Sequence, residues 1–126
     1  MATILVVDDD EKNLRLAVTV LGQLEHDVLS ARSGPEAIAI THLRTVDLIL
    51  MDVQMPGMDG ISALRLLRED ARTATLKVIA LTGLAMKGDS ERLLADGFDG
   101  YLSKPIRYKV FLAEVRRQLG DDPDAG

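Results

Sequence analysis

Five apolar runs of strand length alternate along this chain with segments of helical periodicity, and that alternation limits the folds open to it more than any other feature. The runs are "TILVV" (residues 3–7), "DVLSA" (27–31), "DLILM" (47–51), "LKVIAL" (76–81) and "GYLS" (100–103). "DLILM" and its like are apolar nearly throughout. A strand exposed on one face alternates apolar with polar residues, so a continuous run belongs to a strand covered on both faces, with helices on either side of a parallel sheet. Between the runs, Leu14, Ala17, Val18 and Leu21 recur at helical spacing, and so do Tyr108, Phe111, Leu112, Val115 and Leu119 in the last segment. "SGPE", Ser33 to Glu36, has the capping-box form, with a serine oxygen to accept an early helix amide and a glutamate to reach back, and it marks a helix start. The expectation is an α/β fold, a doubly wound five-stranded parallel sheet built from βα repeated about five times.

The length of 126 residues suits one domain, expected over residues 1–119, with "GDDPDAG" (120–126) as a flexible acidic tail. A net charge of -5 argues against direct nucleic-acid binding and against attraction to anionic membrane surfaces. With no cysteine there is no disulfide framework, thiolate nucleophile or zinc-thiolate site, in keeping with a cytoplasmic protein. No apolar stretch approaches the roughly 18 residues of a membrane span, and the N-terminal run is too short and too soon interrupted by acid for a signal peptide.

In a parallel sheet the loops after the strand C-termini open on one edge, where open α/β sheets place ligands. The first strand runs into Asp8, Asp9 and Asp10, the third into Asp52, the fourth into Thr82 and Gly83, and the fifth into Lys104 and Pro105. Three consecutive carboxylates repel one another. They are tolerable if a divalent cation sits among them, because carboxylate oxygens, a backbone carbonyl and waters are the ligands hard Mg²⁺ takes. Several of these residues have ordinary structural readings as well. Asp10 precedes Glu11 and a helical period and reads as an N-cap. Asp59-Gly60 after "MPGM" reads as a turn toward the next helix. Thr82 alone would be a strand-end threonine, and Lys104 alone a solvated lysine; their joint placement on one rim is what points to chemistry.

Four segments, "ILVVDDD", "LILMDVQMPGMDG", "IALTG" and "YLSKP", in order and over nearly the whole chain, resemble the receiver domains of two-component response regulators. "AMKGDSERLLADGFDGYLSKPI" resembles in particular the stand-alone cell-division regulators and the receivers of hybrid kinases. The resemblance implies the flavodoxin-like receiver fold and a phosphoacceptor regulatory domain in place of an enzyme. It implies Asp52 as phosphoacceptor, and Asp8, Asp9, Asp52 and the Gln54 carbonyl as ligands of Mg²⁺ or Mn²⁺, Asp9 the firmer direct ligand of the acid pair. Thr82, Gly83 and Lys104 would contact the phosphoryl group, and Thr82 and Tyr101 would form the switch. The donor implied is a phosphohistidine on a sensor histidine kinase or a histidine phosphotransfer protein. Output would be protein contact on the last two helices, starting near Met86 and Ile106, and on the last strand. Self-dephosphorylation would depend on Gln54 and Leu84, two residues after the acceptor and two after the threonine. Gln54 can orient a water and Leu84 cannot, which favours a long-lived phosphoryl group.

Other classes fit parts of the pattern. A haloacid-dehalogenase-type phosphatase shares the D-x-D of Asp8 to Asp10, but "EKN" follows where "GT" is usual, and there is neither a late acidic pair nor a cap domain. A flavodoxin-like electron carrier shares the fold, but the first loop has acids where a phosphate cradle needs glycine, serine and threonine, and there is no tryptophan. A receiver excised from a hybrid kinase or a longer regulator remains an alternative, with "GDDPDAG" as the start of a linker.

Overall fold

The computed structural model describes residues 2–83 and 89–120, the side chains of Asp89 and Ser90 excepted. The strands are β1 (Thr3–Val7), β2 (Asp27–Ala31), β3 (Leu48–Asp52), β4 (Lys77–Thr82) and β5 (Gly100–Ser103). They alternate with α1 (Glu11–Leu21), α2 (Gly34–Leu43), α3 (Gly60–Glu69), α4 (Asp89–Asp96) and α5 (Tyr108–Leu119). The strands form one sheet in the order β2-β1-β3-β4-β5, and every pairing is parallel. The expected α/β architecture is the observed one.

Continuous apolar strands explain the two-sided packing. β3 is buried along its whole length, and β1 from Ile4 onward. Alternate residues of these strands feed two cores. Leu5, Val7, Ile49 and Met51 face α2 and α3 with Leu64, Leu67, Leu93 and Phe98. Ile4, Val6, Leu48 and Leu50 face α1 and α5 with Leu21, Phe111, Leu112 and Val115. Each fully buried side chain of this size contributes about 1.5–3 kcal/mol of transfer free energy. On α1 the buried stripe is Leu14, Ala17, Val20 and Leu21, with Val18 half-buried beside it.

The helix caps follow the sequence closely. Asp10 caps α1, accepting from the amides of Lys12 and Asn13. Ser33 caps α2 by accepting from the Glu36 amide at 3.2 Å. Glu36 reaches back to the amide of Arg32 at 3.1 Å, the residue before the cap.

Three boundaries differ from expectation. β3 and β4 each begin and end one residue later than the apolar runs, because Asp47 turns its carboxylate to the Thr3 amide at 2.8 Å and Leu76 closes a turn on the Thr73 carbonyl. The polar residues Asp52 and Thr82 are thereby the last rungs of the ladder, paired with Leu81 and Ser103. α5 starts at Tyr108, not near Ile106, since Arg107 keeps the extended backbone of a cap. The expected start of the preceding helix near Met86 lies outside the described residues, as do Leu84 and residues 121–126 of the expected tail. No helix among the described residues is long and apolar enough to cross a membrane.

Candidate functional site

The strand order reverses direction between β1 and β3, and at such a switch point the two following loops part and leave a crevice at the sheet's C-terminal edge. Asp8 follows β1 and Asp52 ends β3, so the two acids flank that crevice. Both are buried, Asp8 1% and Asp52 3% exposed, whereas Asp9 is exposed. Lys104, after β5, sends its ammonium across the edge to 2.9 Å from Asp8 Oδ2 and 3.2 Å from Asp52 Oδ1. One cation thus joins two carboxylates from strands that are not its neighbours.

Backbone amides fix the carboxylates. The Asp10 amide donates to Asp8 Oδ1 at 2.9 Å, and the Gln54 amide donates to Asp52 Oδ1 at 3.1 Å. Asp8 Oδ2 is a buried oxygen with no well-directed hydrogen bond; its close neighbour is the Lys104 ammonium. Ligand oxygens of Asp8, Asp9 and Asp52 all lie within 4.8 Å of one another. Three hard oxygen donors, one of them lacking a hydrogen bond, and no histidine or cysteine among them suit a hard divalent cation.

Charge and burial set the acid chemistry. Burial, and then the negative charge of Asp8, push the Asp52 carboxyl up to about 7, against the opposing pull of Lys104. Burial disfavours the Lys104 ammonium too, yet its close contact with Asp8 and the charges of Asp8 and Asp52 outweigh it, so its pKa stands above the ordinary lysine value. Asp52 is therefore a carboxyl that resists ionisation until more positive charge joins it.

The other residues singled out in the sequence take definite places. Thr82 is buried at the end of β4, and its carbonyl accepts the Lys104 amide at 2.8 Å. Gly83 is exposed beside it. Gln54 is exposed, one turn beyond Asp52. Tyr101 lies on edge strand β5, 42% exposed, outside the acid and lysine cluster. Asp10 stays out of the cluster as the α1 cap, but its amide holds Asp8.

Gly60 is the site residue that sequence reading undervalued. It reads as half of an Asp-Gly turn, and Asp59 does cap α3 on the Ser62 amide. The Gly60 amide also donates to the Val53 carbonyl at 3.0 Å, and a Cβ here would fall 2.3 Å from the Asp52 carbonyl oxygen. Only glycine lets α3 tuck against the main chain of residue 52.

A family model described as the response regulator receiver domain matches residues 4–116. The polar-differentiation response regulator DivK of Brucella ovis is 35% identical over 119 residues, which cover 94% of this chain and 97% of that protein. Among solved structures, the chemotaxis protein CheY4 of Vibrio cholerae matches with a TM-score of 0.86 at 27% identity, over 93% of this chain and 98% of that one. The receiver domain of a sensor histidine kinase from Pseudomonas aeruginosa PAO1, solved with a magnesium ion coordinated in its active-site cleft, matches with a TM-score of 0.86 at 32% identity. That match covers 94% of this chain and 98% of the other.

Proposed function

The chain belongs to the response regulator receiver domain family, and from that premise we propose that Asp52 accepts a phosphoryl group from a phosphohistidine. The donor is a sensor histidine kinase or a histidine phosphotransfer protein, and the product is an aspartyl phosphate that alters contacts with other proteins. The observation that carries the reading is the convergence of Asp8, Asp52 and Lys104 from three strand ends within 3.2 Å of one ammonium.

Each residue has a derivable part. An Asp52 oxygen forms the new O–P bond while the N–P bond of the phosphohistidine breaks, and the imidazole nitrogen keeps that electron pair and takes up a proton. A carboxylate meets an anionic phosphoryl group here, so charge must be neutralised as it develops. Lys104 is already seated to do so, fully protonated and in contact with Asp52. Thr82, at the end of the adjacent strand, offers its hydroxyl to a phosphoryl oxygen, with the Gly83 amide beside it. Asp8, Asp9, Asp52 and the Gln54 carbonyl are the groups that would hold Mg²⁺ or Mn²⁺, which would supply positive charge to offset the negative charge gathered during transfer.

Once Asp52 carries a dianion, the Thr82 hydroxyl gains a phosphoryl oxygen as a further partner and its loop is drawn inward, and the half-exposed Tyr101 ring has room to follow. Receiver domains are regulatory phosphoacceptors, and in this reading slow self-dephosphorylation ends the signal, with Gln54 orienting the water. The protein acts in the cytoplasm, where the kinase domains that supply the phosphoryl group work.

Incubation with acetyl phosphate and Mg²⁺ followed by intact mass measurement tests the proposal. The wild-type chain gains one phosphoryl group, and Asp52→Asn gains none while keeping its fold. Undiminished labelling of that variant would sink the assignment.

A further inference from the structure

Away from the acid cluster, α3 and α4 enclose a cavity of about 400 Å³. Val53, Ile61 and Leu93 supply its apolar lining, and it reaches the buried Thr82 at the end of β4. Its two walls carry one guanidinium each: Arg65, one turn beyond Ile61 on α3, and Arg92, beside Leu93 on α4. Several other arginines have acidic partners. Arg68 pairs with Asp99 at 3.0 Å, Arg72 with Asp70 at 3.1 Å, and Arg117 with Glu114. Arg65 and Arg92 have no carboxylate within ion-pair distance among the described residues. Two guanidiniums without an acid partner among the described residues thus line one cavity.

We propose that this groove between α3 and α4 docks an acidic, leucine-bearing segment of a protein partner, with carboxylates on Arg65 and Arg92 and an aliphatic side chain on Val53, Ile61 and Leu93. Guanidinium forks match carboxylates in shape and charge. The apolar lining would gain nothing from a bare anion, so the occupant brings aliphatic surface along with its charge. Asp96, one turn beyond Arg92, gives the groove one acid among its cations and disfavours a third carboxylate at that end. Because Thr82 belongs both to this lining and to the rim that faces Asp52, occupancy and phosphorylation act on the same residue. This inference rests on the phosphoacceptor reading for its link to signalling, not for the docking itself.

The test uses the full chain, isotope-labelled, titrated with a short acetylated and amidated peptide of leucine, alanine and glutamate. A second peptide with every glutamate replaced by lysine is the control, and amide resonances are the readout. The glutamate peptide shifts Val53, Ile61 and Leu93, the lysine peptide does not, and the double variant Arg65→Ala, Arg92→Ala weakens binding by about tenfold or more. Absence of binding, equal binding of the lysine peptide, or unchanged affinity in the double variant overturns the proposal. So do the same shifts with inorganic phosphate alone, which make it a simple anion site, or concentration-dependent shifts without peptide, which make it a contact between copies. Acetyl phosphate labelling of the same samples separates the two readings: labelling without peptide binding removes only the groove, and no labelling removes the phosphoacceptor assignment.

Discussion

At the scale of single residues, the acid cluster is a place where folding works against ionisation. Burial and the neighbouring Asp8 push the native Asp52 carboxyl from its ordinary value of 3.8 up to about 7. A carboxyl with a raised native pKa contributes stability that is fully present below its unfolded pKa and is lost as pH rises through the folded value. In metal-free buffer, the contribution of Asp52 to wild-type stability should therefore fall between about pH 4 and pH 7, and Asp52→Asn, which has no proton to lose there, should lack that contribution to the pH dependence. Urea denaturation at about pH 7.5 should find the variant more stable by about 1 kcal/mol or more, with the difference gone near pH 4. A variant less stable than wild type at the higher pH would show that the Asp52–Lys104 pair outweighs the burial. Neighbouring acids divide the labour differently. Asp10 is spent on the α1 cap, so Asp10→Ala should cost about 1 kcal/mol of stability and leave Mg²⁺ affinity nearly intact. Asp9 is exposed and caps nothing, so Asp9→Ala should leave stability nearly unchanged and severely weaken Mg²⁺ binding. The opposite order in a metal titration would mean that the register of the acid run is wrong.

At the scale of elements, α3 is placed by what Gly60 lacks. A methyl group there would meet the Asp52 carbonyl at 2.3 Å and the Val53 Cα at 2.9 Å, both backbone atoms with little freedom to yield. Gly60→Ala should cost about 1–3 kcal/mol and slow acetyl phosphate labelling as Asp52 is displaced. Gly83→Ala, where a Cβ meets nothing within 4 Å, should stay within about 0.5 kcal/mol of wild type by the same urea measurement. Gly60 also marks where sequence reading stops. The strands were legible because β1 and β3 are covered on both faces and so had to be apolar throughout. Asp10 and Ser33 were legible because a cap acts within its own turn. Asp8, Asp52, Thr82 and Lys104 could be collected on one rim from topology alone. Close approach of two backbones carries no local signal, and Gly60 looked like any Asp-Gly turn. Arg68 left no signal either. It reaches the carbonyls of Ala74, Leu76 and Gly97 and the Asp99 carboxylate, tying α3 to the segments before β4 and after α4. Gly97 and Asp99 are about thirty residues away, and only the packed fold brings them to the same guanidinium as the nearer carbonyls. The ends of β3 and β4 were misjudged by one residue for a related reason, since Asp52 and Thr82 are polar yet keep strand pairing where the crevice needs them rigid.

At the scale of the whole molecule, the sheet divides unequally around Asp52. On one side, β4 and β5 carry the groups that the proposed function sets to meet an arriving phosphoryl group, the Thr82 hydroxyl and the Lys104 ammonium. They are joined to each other by the bond from the Lys104 amide to the Thr82 carbonyl. α4 packs against β5, where Tyr101 stands half-exposed. On the other side, β2 meets the site through the Asp8 amide, which donates to the Ala31 carbonyl at 3.1 Å. New charge at Asp52 should therefore be felt along β4, β5 and α4, and little along β2 and α2. Hydrogen exchange before and after acetyl phosphate treatment should show larger changes in Asp89–Asp96 and Gly100–Lys104 than in the stretch from Val28 to Leu43. Asp52→Asn treated in the same way should show none. Equal changes at both edges would mean that the sheet responds as one body, leaving Thr82 no special part in carrying the signal. Changes confined to the β2 edge would place the moving element at Asp8.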